Sequence, residues 1–271
     1  MAQAIALTIA GSDSGGGAGI QADLKTFSAL GAYGASVITA ITAQNTRAVT
    51  RIEPVSPTMV AAQIDAVFDD LAVDAVKIGM LGGADVITTV AERLRHHLAR
   101  RPVPVVLDPV MVAKSGDMLL PGDAIGALLQ DLLPLATLLT PNLPEAATLL
   151  GHAPGAPPGD MREQGQALRR LGPDFVLMKG GHAQGPACTD MLIGEGETIL
   201  TAPRVITKNT HGTGCTLSSA IAAGLAHGLG MEAAVRQAHG WLHQAIRTAD
   251  RLAIGSGHGP VHHFHMQWAA E

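Results

Sequence analysis

The residues from Asn209 to Thr216, Asn-Thr-His-Gly-Thr-Gly-Cys-Thr, have the composition of a turn that binds anions. Glycines let the backbone point its amide hydrogens inward, and the helix predicted to follow adds unpaired N–H donors and the positive end of its dipole. Cys215 stands at the start of that helix, a position that lowers the pKa of a thiol and favours the thiolate. On this stretch alone, an ordinary glycine-rich helix start and an inert buried cysteine are equally good interpretations.

Two acids and a lysine follow other apolar runs of the chain. Asp108 ends one run, Glu145 enters a predicted helix after Thr140-Pro141-Asn142, and Lys179 ends a third run. Carboxylates, with water and substrate phosphates, are the ligands that Mg²⁺ takes in kinases. Because ligands of open α/β sheets bind beyond the carboxyl ends of the strands, these groups and the glycine turn are expected in one crevice. Together they predict phosphoryl transfer. Taken singly, Glu145 could be an ordinary glutamate in the first turn of a helix, and Lys179 could be a solvated surface lysine.

A second glycine-rich segment, residues 11–19, follows the first apolar run and opens a helix. Its end, Gly17-x-Gly19-x-x-Ala22, matches the dinucleotide-binding fingerprint, which also expects an acid about 20 residues later for the ribose hydroxyls. The region after the second predicted strand has no acid before Glu53. The segment is therefore a poor dinucleotide site, although its backbone can approach a small ligand closely. A P-loop is excluded, because the chain contains no Gly-Lys dipeptide.

The elements that must position these residues alternate along the chain. Near-continuous hydrophobicity in short runs indicates strands buried on both faces, and their alternation with helical stretches predicts a three-layer αβα fold with a mostly parallel central sheet. The predicted strands are Ile5–Ala10, Val37–Ala40, Val73–Ile78, Val103–Leu107, Thr137–Leu139 and Phe175–Met178, with Thr189–Ile193 and Thr198–Ala202 as an antiparallel edge. The predicted helices are Ile20–Leu30, Thr58–Leu71, Ala84–Ala99, Pro144–Leu150, Thr213–Leu229 and Met231–Arg251.

The composition limits the class of protein. The 271 residues are 47% hydrophobic and 15% charged, a profile that excludes intrinsic disorder. Only 3% are aromatic and the net charge is −5, so nucleic-acid binding is not expected. The two cysteines cannot build a disulfide framework, and no apolar run is long enough to suggest a membrane span. We expect one domain over residues 1–271, in a soluble cytoplasmic protein.

Seven segments form a combined pattern: Ala10–Asp23, Thr42–Thr46, Lys77–Leu81, Asp108–Met111, Thr140-Pro141-Asn142-x-x-Glu145, Lys179–His182 and Thr210–Thr216. Together they resemble the hydroxymethylpyrimidine/phosphomethylpyrimidine kinases of thiamin biosynthesis, in the ribokinase-like superfamily, over almost the whole chain. The resemblance implies an ATP- and Mg²⁺-dependent enzyme that phosphorylates 4-amino-5-hydroxymethyl-2-methylpyrimidine and then its monophosphate, giving the diphosphate. It also implies a ribokinase-like fold and a homodimer, and it leaves a requirement for a monovalent cation open.

The resemblance further implies a role for each matching residue. Gln44 matches the pyrimidine-binding glutamine, and its carboxamide, with one donor and one acceptor side, complements a ring nitrogen beside an exocyclic amine. The other positions that match the pocket lining are Gly11, Asp23, Met80 and Val110. The transferring phosphoryl group is expected at Gly212, Thr213 and Gly214, ATP at Lys179, Asn142 and Thr213, and Mg²⁺ at Asp108 and Glu145. Cys215 stands where ribokinase relatives have a catalytic aspartate, and its thiolate is expected to take the hydroxymethyl proton.

Three other functions stay open on the sequence. A pyridoxal kinase of the same superfamily would share the phosphate chemistry, and a non-catalytic pyrimidine-binding protein would share the pocket. A dinucleotide oxidoreductase is the weakest alternative, because the ribose-binding acid is missing. Lys114–Asp117 resembles the mobile flap of the family. The histidine-rich segment Gly257–His265 is expected to serve structure or active-site closure rather than metal binding.

Overall fold

The computed structural model describes residues 3–111, 122, 124–152, 159–181 and 185–268. Its strands are β1 Ile5–Ala10, β2 Tyr33–Ile38, β3 Ala40–Gln44, β4 Val49–Pro54, β5 Ala75–Ile78, β6 Val105–Leu107, β7 Leu138–Leu139, β8 Phe175–Met178, β9 Ala187–Ile193 and β10 Glu197–Pro203. Its α-helices are α1 Gly19–Ala29, α2 Pro57–Asp70, α3 Ala84–Leu98, α4 Ala124–Ala127, α5 Leu143–Leu149, α6 Met161–Arg169, α7 Thr213–Ala226 and α8 Met231–Arg247.

Eight strands form one sheet in the order β10-β9-β8-β7-β6-β5-β1-β2. The strands from β8 to β2 in this order pair in parallel, whereas β9 runs antiparallel to both β8 and β10. Parallel strands end at the same edge of a sheet, so the segments after β1, β5, β6, β7 and β8 all lie along one edge. The predicted mostly parallel sheet with an antiparallel edge is confirmed.

Successive strand residues face two separate cores, as the twofold side-chain alternation of a strand requires. Leu7 and Leu139 belong to the core that also contains Val60 of α2 and Leu94 of α3. The neighbouring strand residues Ala6 and Leu138 belong to the other core, with Phe27 of α1, Ile221 of α7 and Val235 of α8. The sheet is therefore covered by helices on both faces, which confirms the three-layer arrangement.

The hairpin of β3 and β4 is the main element that the sequence prediction missed. The predicted strand Val37–Ala40 covers the end of β2 and the start of β3, two strands that belong to different sheets. Along β3, buried Ala40 and Thr42 alternate with exposed Ile41 and Ala43. A search for continuously apolar runs overlooks a strand of this kind, because only one of its faces is buried.

Most predicted helices agree with the structure to within two residues, and the exceptions lie near the C-terminus. Helix α7 ends at Ala226, not Leu229, and helix α8 ends at Arg247, after which Ala249–Leu252 form a 3₁₀ turn. Helix α6, which the sequence analysis did not assign, begins where the Asp160 side chain accepts hydrogen bonds from the N–H groups of Arg162 and Glu163. In the part of the chain that the structure describes, no helix combines the length and apolarity needed to cross a bilayer.

Candidate active site

Helix α7 begins directly after the glycine turn, with Gly212 as its N-cap residue. Gly212 has a φ of 77°, and a Cβ at this position would lie 1.9 Å from the carbonyl oxygen of Gly17. An L side chain therefore meets both an unfavourable left-handed conformation and a direct clash with the backbone. The glycine turn is packed against the glycine-rich loop of residues 11–19, and this contact holds the first amides of α7 in place.

The start of α7 lies in the crevice beyond the parallel strand ends. A Cβ on Gly214 would lie 3.3 Å from Asp108 Oδ2 and 3.5 Å from Lys179 Nζ. One turn further into the helix, Ser218 Oγ lies 3.5 Å from Asp108 Oδ2. The structure thus brings the glycine turn, Asp108 and Lys179 together, as the sequence analysis predicts.

Lys179 forms the centre of the charges in this crevice. Its Nζ donates to Asp108 Oδ1 at 2.8 Å and lies 4.0 Å from Glu145 Oε2. Asp108 Oδ1 also accepts a hydrogen bond from Thr140 Oγ1 at 3.1 Å. Burial alone would lower the pKa of Lys179, but Asp108 and Glu145 hold it above its ordinary value. The lysine is therefore neutralised by the protein's own acids, and a phosphate must compete with them for it.

Glu145 and Asn142 form a capping box at the start of α5. Asn142 Oδ1 accepts from the N–H of Glu145 at 2.9 Å, and Glu145 Oε2 accepts from the N–H of Asn142 at 2.8 Å. Burial raises the pKa of Glu145 to about 7, against the opposing effect of the Lys179 charge. The cap uses only the oxygen of the Asn142 carboxamide, so its NH₂ group lies outside the cap. The helix-start interpretation of Glu145 is thus correct, and it also places the acid beside Lys179.

The acids of the crevice fit a magnesium ion that is shared with phosphates. Asp108 and Glu145 lie 2.8 Å and 4.0 Å from the same Lys179 Nζ. Mg²⁺ commonly takes one or two carboxylates and completes its octahedron with water and substrate phosphates. Within the described ranges, no group of three or more His, Cys, Asp or Glu side chains is arranged to hold a metal. The donor set therefore suits an ion that arrives with a nucleotide.

The expected low pKa of Cys215 is wrong for this structure. The residue keeps some accessible surface, but protein surrounds its thiol densely, and this burial raises its pKa to about 11. The positive charge of Lys77 lowers this pKa, and so does the backbone N–H of Gly19, which donates to the sulfur. Desolvation disfavours a thiolate, and here it outweighs these effects and the position at a helix start. Cys215 therefore rests as a thiol.

Asp23, expected in the pocket lining, instead belongs to a buried ion pair. Lys77 Nζ donates to its two carboxylate oxygens at 2.8 and 3.0 Å, and neither side chain has exposed surface. Thr8 and Ser219 also donate to this carboxylate, at 2.6 and 2.7 Å. Asp23 therefore has no surface with which to touch a ligand in this structure, and its position does not support the predicted role.

Lys77 is a residue of the site region that the sequence analysis did not recognise. Burial alone would lower its pKa, but the negative charge of Asp23 outweighs this and holds the pKa above its ordinary value. Cys215 and Asp108 act on the pKa in the same direction. The available signal was a lysine inside the apolar run Val73–Ile78, because a charge in a buried strand needs a partner.

The other predicted pocket residues lie around the glycine-rich loop. A Cβ on Gly11 would lie 2.7 Å from Met80 Sδ, and the N–H of Gly11 donates to the Met80 carbonyl at 3.0 Å. The backbone N–H of Gln44, at the end of β3, donates to Ser14 Oγ at 2.8 Å. Val110 is half-buried, and its N–H donates to the Asp108 carbonyl at 2.8 Å. The structure thus places Gly11 against Met80, Gln44 against the loop and Val110 beside Asp108.

His211, inside the predicted anion-binding turn, is a second residue to which the sequence analysis gave no role. Its Nε2 lies 2.9 Å from Asp13 Oδ2 and 3.4 Å from Gln44 Nε2. Since Asp13 and His211 are separated by 198 positions in the chain, no local pattern in the sequence could reveal this pair. The imidazole joins the glycine-rich loop to the glycine turn.

The histidine-rich segment near the C-terminus lies between two parts of the site. The carbonyl of Gly259 accepts from the N–H of His211 at 3.0 Å, and the N–H of His258 donates to the Thr46 carbonyl at 2.8 Å. The segment therefore connects the turn of the hairpin with the glycine turn, which supports its expected structural role. The predicted flap Lys114–Asp117 and residue His182 lie outside the described residues.

A mostly parallel sheet with helices on both faces, and a helix start that meets two acids and a lysine at the strand ends, form the arrangement that phosphoryl transfer requires. They agree with the ribokinase-like fold that the resemblance implies. Residues 13–262 match the phosphomethylpyrimidine kinase family, and the chain belongs to this family.

Relatives and solved structures agree with this assignment. The chain is 58% identical over 267 residues to the hydroxymethylpyrimidine/phosphomethylpyrimidine kinase of Rhizobium meliloti (strain 1021), with 98% of each chain covered. The crystal structure of phosphomethylpyrimidine kinase from Clostridium difficile 630 matches with a TM-score of 0.77 and 45% identity, covering 90% of this chain and 100% of that one. The Staphylococcus aureus pyridoxal kinase, in complex with AMP-PCP and pyridoxal, matches with a TM-score of 0.87 and 32% identity, covering 98% and 96%.

Proposed function

We propose that this protein transfers the γ-phosphoryl group of ATP to 4-amino-5-hydroxymethyl-2-methylpyrimidine, and then a second one to the monophosphate, with Mg²⁺. The observation that carries the proposal is the position of the α7 start, where Gly214 lies beside Asp108 Oδ2 and Lys179 Nζ. The 58% identity to a kinase named for these two pyrimidines supports the substrate. The AMP-PCP complex of the Staphylococcus aureus kinase supports ATP as the donor.

Phosphoryl transfer needs positioning and charge neutralisation more than covalent help from the protein. Asp108 and Glu145 would hold Mg²⁺, which supplies positive charge to the phosphates when it is bound. Lys179 would then exchange its bond to Asp108 for a phosphate oxygen. The amides of Gly212 and Gly214 would donate to the transferring group, because a helix start offers unpaired N–H donors of fixed direction. The N–H of Thr213 would join them by giving up its 3.4 Å hydrogen bond to the Thr210 carbonyl.

Cys215 is the group proposed to take the proton of the hydroxymethyl oxygen. With a pKa of about 11, only about one thiol in ten thousand is ionised at pH 7. The positive charge of Lys77 and the N–H of Gly19 are the groups that stabilise the ionised form. The second transfer starts from a phosphate oxygen that is already largely ionised near neutral pH, and it should need no such base.

The experiment compares the two transfers in Cys215→Ala, with Cys188→Ala on the edge strand β9 as the matched control. We expect kcat for the first transfer to fall about 100-fold or more, the usual scale for loss of a general base, while the second changes far less. In the wild type, kcat for the first transfer should rise with pH between 7 and 9, because the thiolate fraction grows towards the pKa of about 11. Equal losses in both transfers, or a flat pH profile for the first, would contradict the assignment.

Pyridoxal kinase activity is the second candidate, because a pyridoxal kinase shares the fold with a TM-score of 0.87. One fold hosts several activities, so this similarity does not select the substrate. Sequence identity favours the pyrimidine, with 58% to a pyrimidine kinase against 32% to the pyridoxal kinase. Steady-state kinetics on both compounds test the choice, and a larger kcat/KM for pyridoxal would reverse it. Absence of ADP release with either compound would favour a non-catalytic binding protein.

Three further parts of the proposal are a homodimer, a cytoplasmic location and a single domain over residues 1–271. The first rests on the resemblance to the family, and the other two rest on length and composition. Sedimentation equilibrium tests the dimer, and cooperative unfolding in one transition tests the single domain. Assays in potassium, sodium and choline salts test whether a monovalent cation is required.

A further inference from the structure

Asp13, Gln44 and His211 meet where the glycine-rich loop, the hairpin and the glycine turn converge. One nitrogen of the imidazole, Nε2, lies 2.9 Å from Asp13 Oδ2 and 3.4 Å from Gln44 Nε2. His211 is only 8% exposed, and a Cβ on Gly17 would lie 2.4 Å from its Cδ2. The ring is therefore confined, with a single nitrogen facing both a carboxylate and a carboxamide.

The surroundings of Asp13 determine which tautomer His211 adopts. Asp13 accepts from the N–H groups of Gly15 at 2.8 Å, Gly17 at 3.0 Å and Ala18 at 2.8 Å. Burial alone would raise the pKa of Asp13, but the hydrogen bond from His211 and these backbone donors hold it below its ordinary value. An ionised carboxylate only accepts hydrogen bonds. His211 Nε2 must therefore carry a hydrogen, which it directs at Asp13.

A nitrogen that carries a hydrogen and donates it cannot accept one from the Gln44 amide. On the other side of the carboxamide, Thr42 Oγ1 lies 3.2 Å from Gln44 Oε1. A hydroxyl has one hydrogen, and Thr42 donates it to the Ser12 carbonyl at 2.8 Å, so its oxygen remains to accept from the NH₂ end of the carboxamide. The Nε2–H of His211 suits only an oxygen. The imidazole therefore favours the amide orientation in which Oε1 faces His211 and Nε2 faces Thr42, the reverse of the one in the structure.

We propose that His211 is a positioning residue that sets the direction in which Gln44 reads the pyrimidine ring, an inference that rests on the proposed function. In this direction, Oε1 on the His211 side accepts from the 4-amino group, and Nε2 on the Thr42 side donates to the neighbouring ring nitrogen. The hydroxymethyl group is bonded to the ring carbon next to the one that bears the amine. The ring then presents its hydroxymethyl group towards His211 and the adjoining residue Gly212, where α7 begins.

The test uses an analogue whose hydrogen-bonding pattern is reversed. In 5-hydroxymethyl-2-methyl-4-oxopyrimidine, an acceptor oxygen replaces the amine and the neighbouring ring nitrogen carries a hydrogen. The variants are His211→Leu, which removes the donor, and His211→Gln, whose side-chain NH₂ can replace it. His96→Leu, on an exposed position of α3, is the matched control. The measured quantity is the ratio of kcat/KM for the amino compound to that for the oxo compound.

In His211→Leu the carboxamide can turn over and accept the oxo compound, so we expect the ratio to fall about tenfold or more, the scale of one lost hydrogen bond. The ratio should stay near the wild-type value in His211→Gln and His96→Leu, and KM for ATP should stay the same in all three. An unchanged ratio in His211→Leu, which means that kcat/KM falls equally for both compounds or not at all, would overturn the proposal.

Two measurements separate this proposal from the proposed function and from loss of folding. Calorimetric dissociation constants for the two pyrimidines test the reading direction even if no phosphoryl transfer occurs, and an equal preference in wild type and His211→Leu would refute it. If His211→Leu does not fold, ¹⁵N NMR of the wild type still reports the tautomer. We expect a hydrogen on Nε2. The ¹⁵N chemical shift of this nitrogen should change when the aminopyrimidine is added and stay the same when AMP-PCP is added. A hydrogen on Nδ1 alone would end the argument.

Discussion

The buried ion pair of Lys77 and Asp23 supports a prediction about stability that the sequence could not provide. Lys77→Met leaves the Asp23 carboxylate without its cation in a place where neither side chain has exposed surface. Removal of one partner from a buried pair costs about 3–5 kcal/mol, because the remaining charge stays desolvated. Since about 2–4 °C of Tm corresponds to each kcal/mol in a chain near this size, we expect Tm to fall by about 6–20 °C.

The double variant Asp23→Asn/Lys77→Met separates the charge effect from simple loss of packing. It leaves no buried charge at this pair. Thr8 and Ser219 donate to different oxygens of Asp23, at 2.6 and 2.7 Å, so one hydroxyl can still donate to the asparagine oxygen while the other accepts from its NH₂ group. We therefore expect it to recover most of the stability lost in Lys77→Met. Arg236→Met is the matched control, because the Arg236–Glu232 pair is 55% and 56% exposed, and such pairs contribute about 0.5 kcal/mol or less.

Urea unfolding followed by circular dichroism measures the free energies of all four proteins. The reasoning is refuted if Lys77→Met loses less than about 1 kcal/mol, or if the double variant is no more stable than Lys77→Met. The same proteins also test the role of Asp23. If this carboxylate does not line the pocket, KM for the pyrimidine in the double variant should stay close to the wild-type value, whereas a large increase would restore the sequence-based role.

Two further predictions follow from the backbone of the site and from a buried histidine. Gly212→Ala should reduce kcat about 100-fold by displacing amides at the start of α7, because its Cβ would lie 1.9 Å from the Gly17 carbonyl oxygen. The control Gly228→Ala has a similar φ of 82° but open space around its Cβ, so it should keep wild-type kcat in the same assay. Burial lowers the pKa of His263 to about 3, so between pH 6.5 and 5 the unfolded chain binds a proton that the folded chain does not. The free energy of unfolding should therefore decrease as the pH is lowered from 6.5 to 5. At pH 5 the decrease should be about 2 kcal/mol larger in the wild type than in His263→Gln, as measured by urea unfolding at each pH. Identical pH profiles of stability for the two proteins would contradict this prediction. Glu145, whose pKa is raised to about 7, stabilises the folded protein as the pH is lowered, but it is present in both proteins and its contribution cancels in the comparison.

The parts of the site that follow a strand directly were predictable from the sequence. Asp108, Lys179 and the glycine turn each carry a local signal, a polar or glycine residue after an apolar run or before a helix. Parallel pairing then places the ends of β6 and β8 at one edge, so local signals suffice to predict that these residues share a crevice. The three-layer fold was predicted correctly because strands that are buried on both faces form continuous apolar runs. The hairpin of β3 and β4 was missed because its strands have an exposed face.

The properties that depend on contacts between distant segments were not predictable. The position of Cys215 at a helix start indicates a lowered pKa, but the density of protein around the sulfur raises it to about 11. Lys77 and Asp23 are 54 positions apart, and His211 and Asp13 are 198 apart, so no spacing in the chain announces either pair.

The sequence by itself determined the layers of the fold and the residues that gather at the strand ends, because hydrophobic periodicity and chain direction are local properties. Only the tertiary structure decided which of these groups are charged, which are paired and which face a ligand, because desolvation and Coulomb energies depend on neighbours that folding brings together.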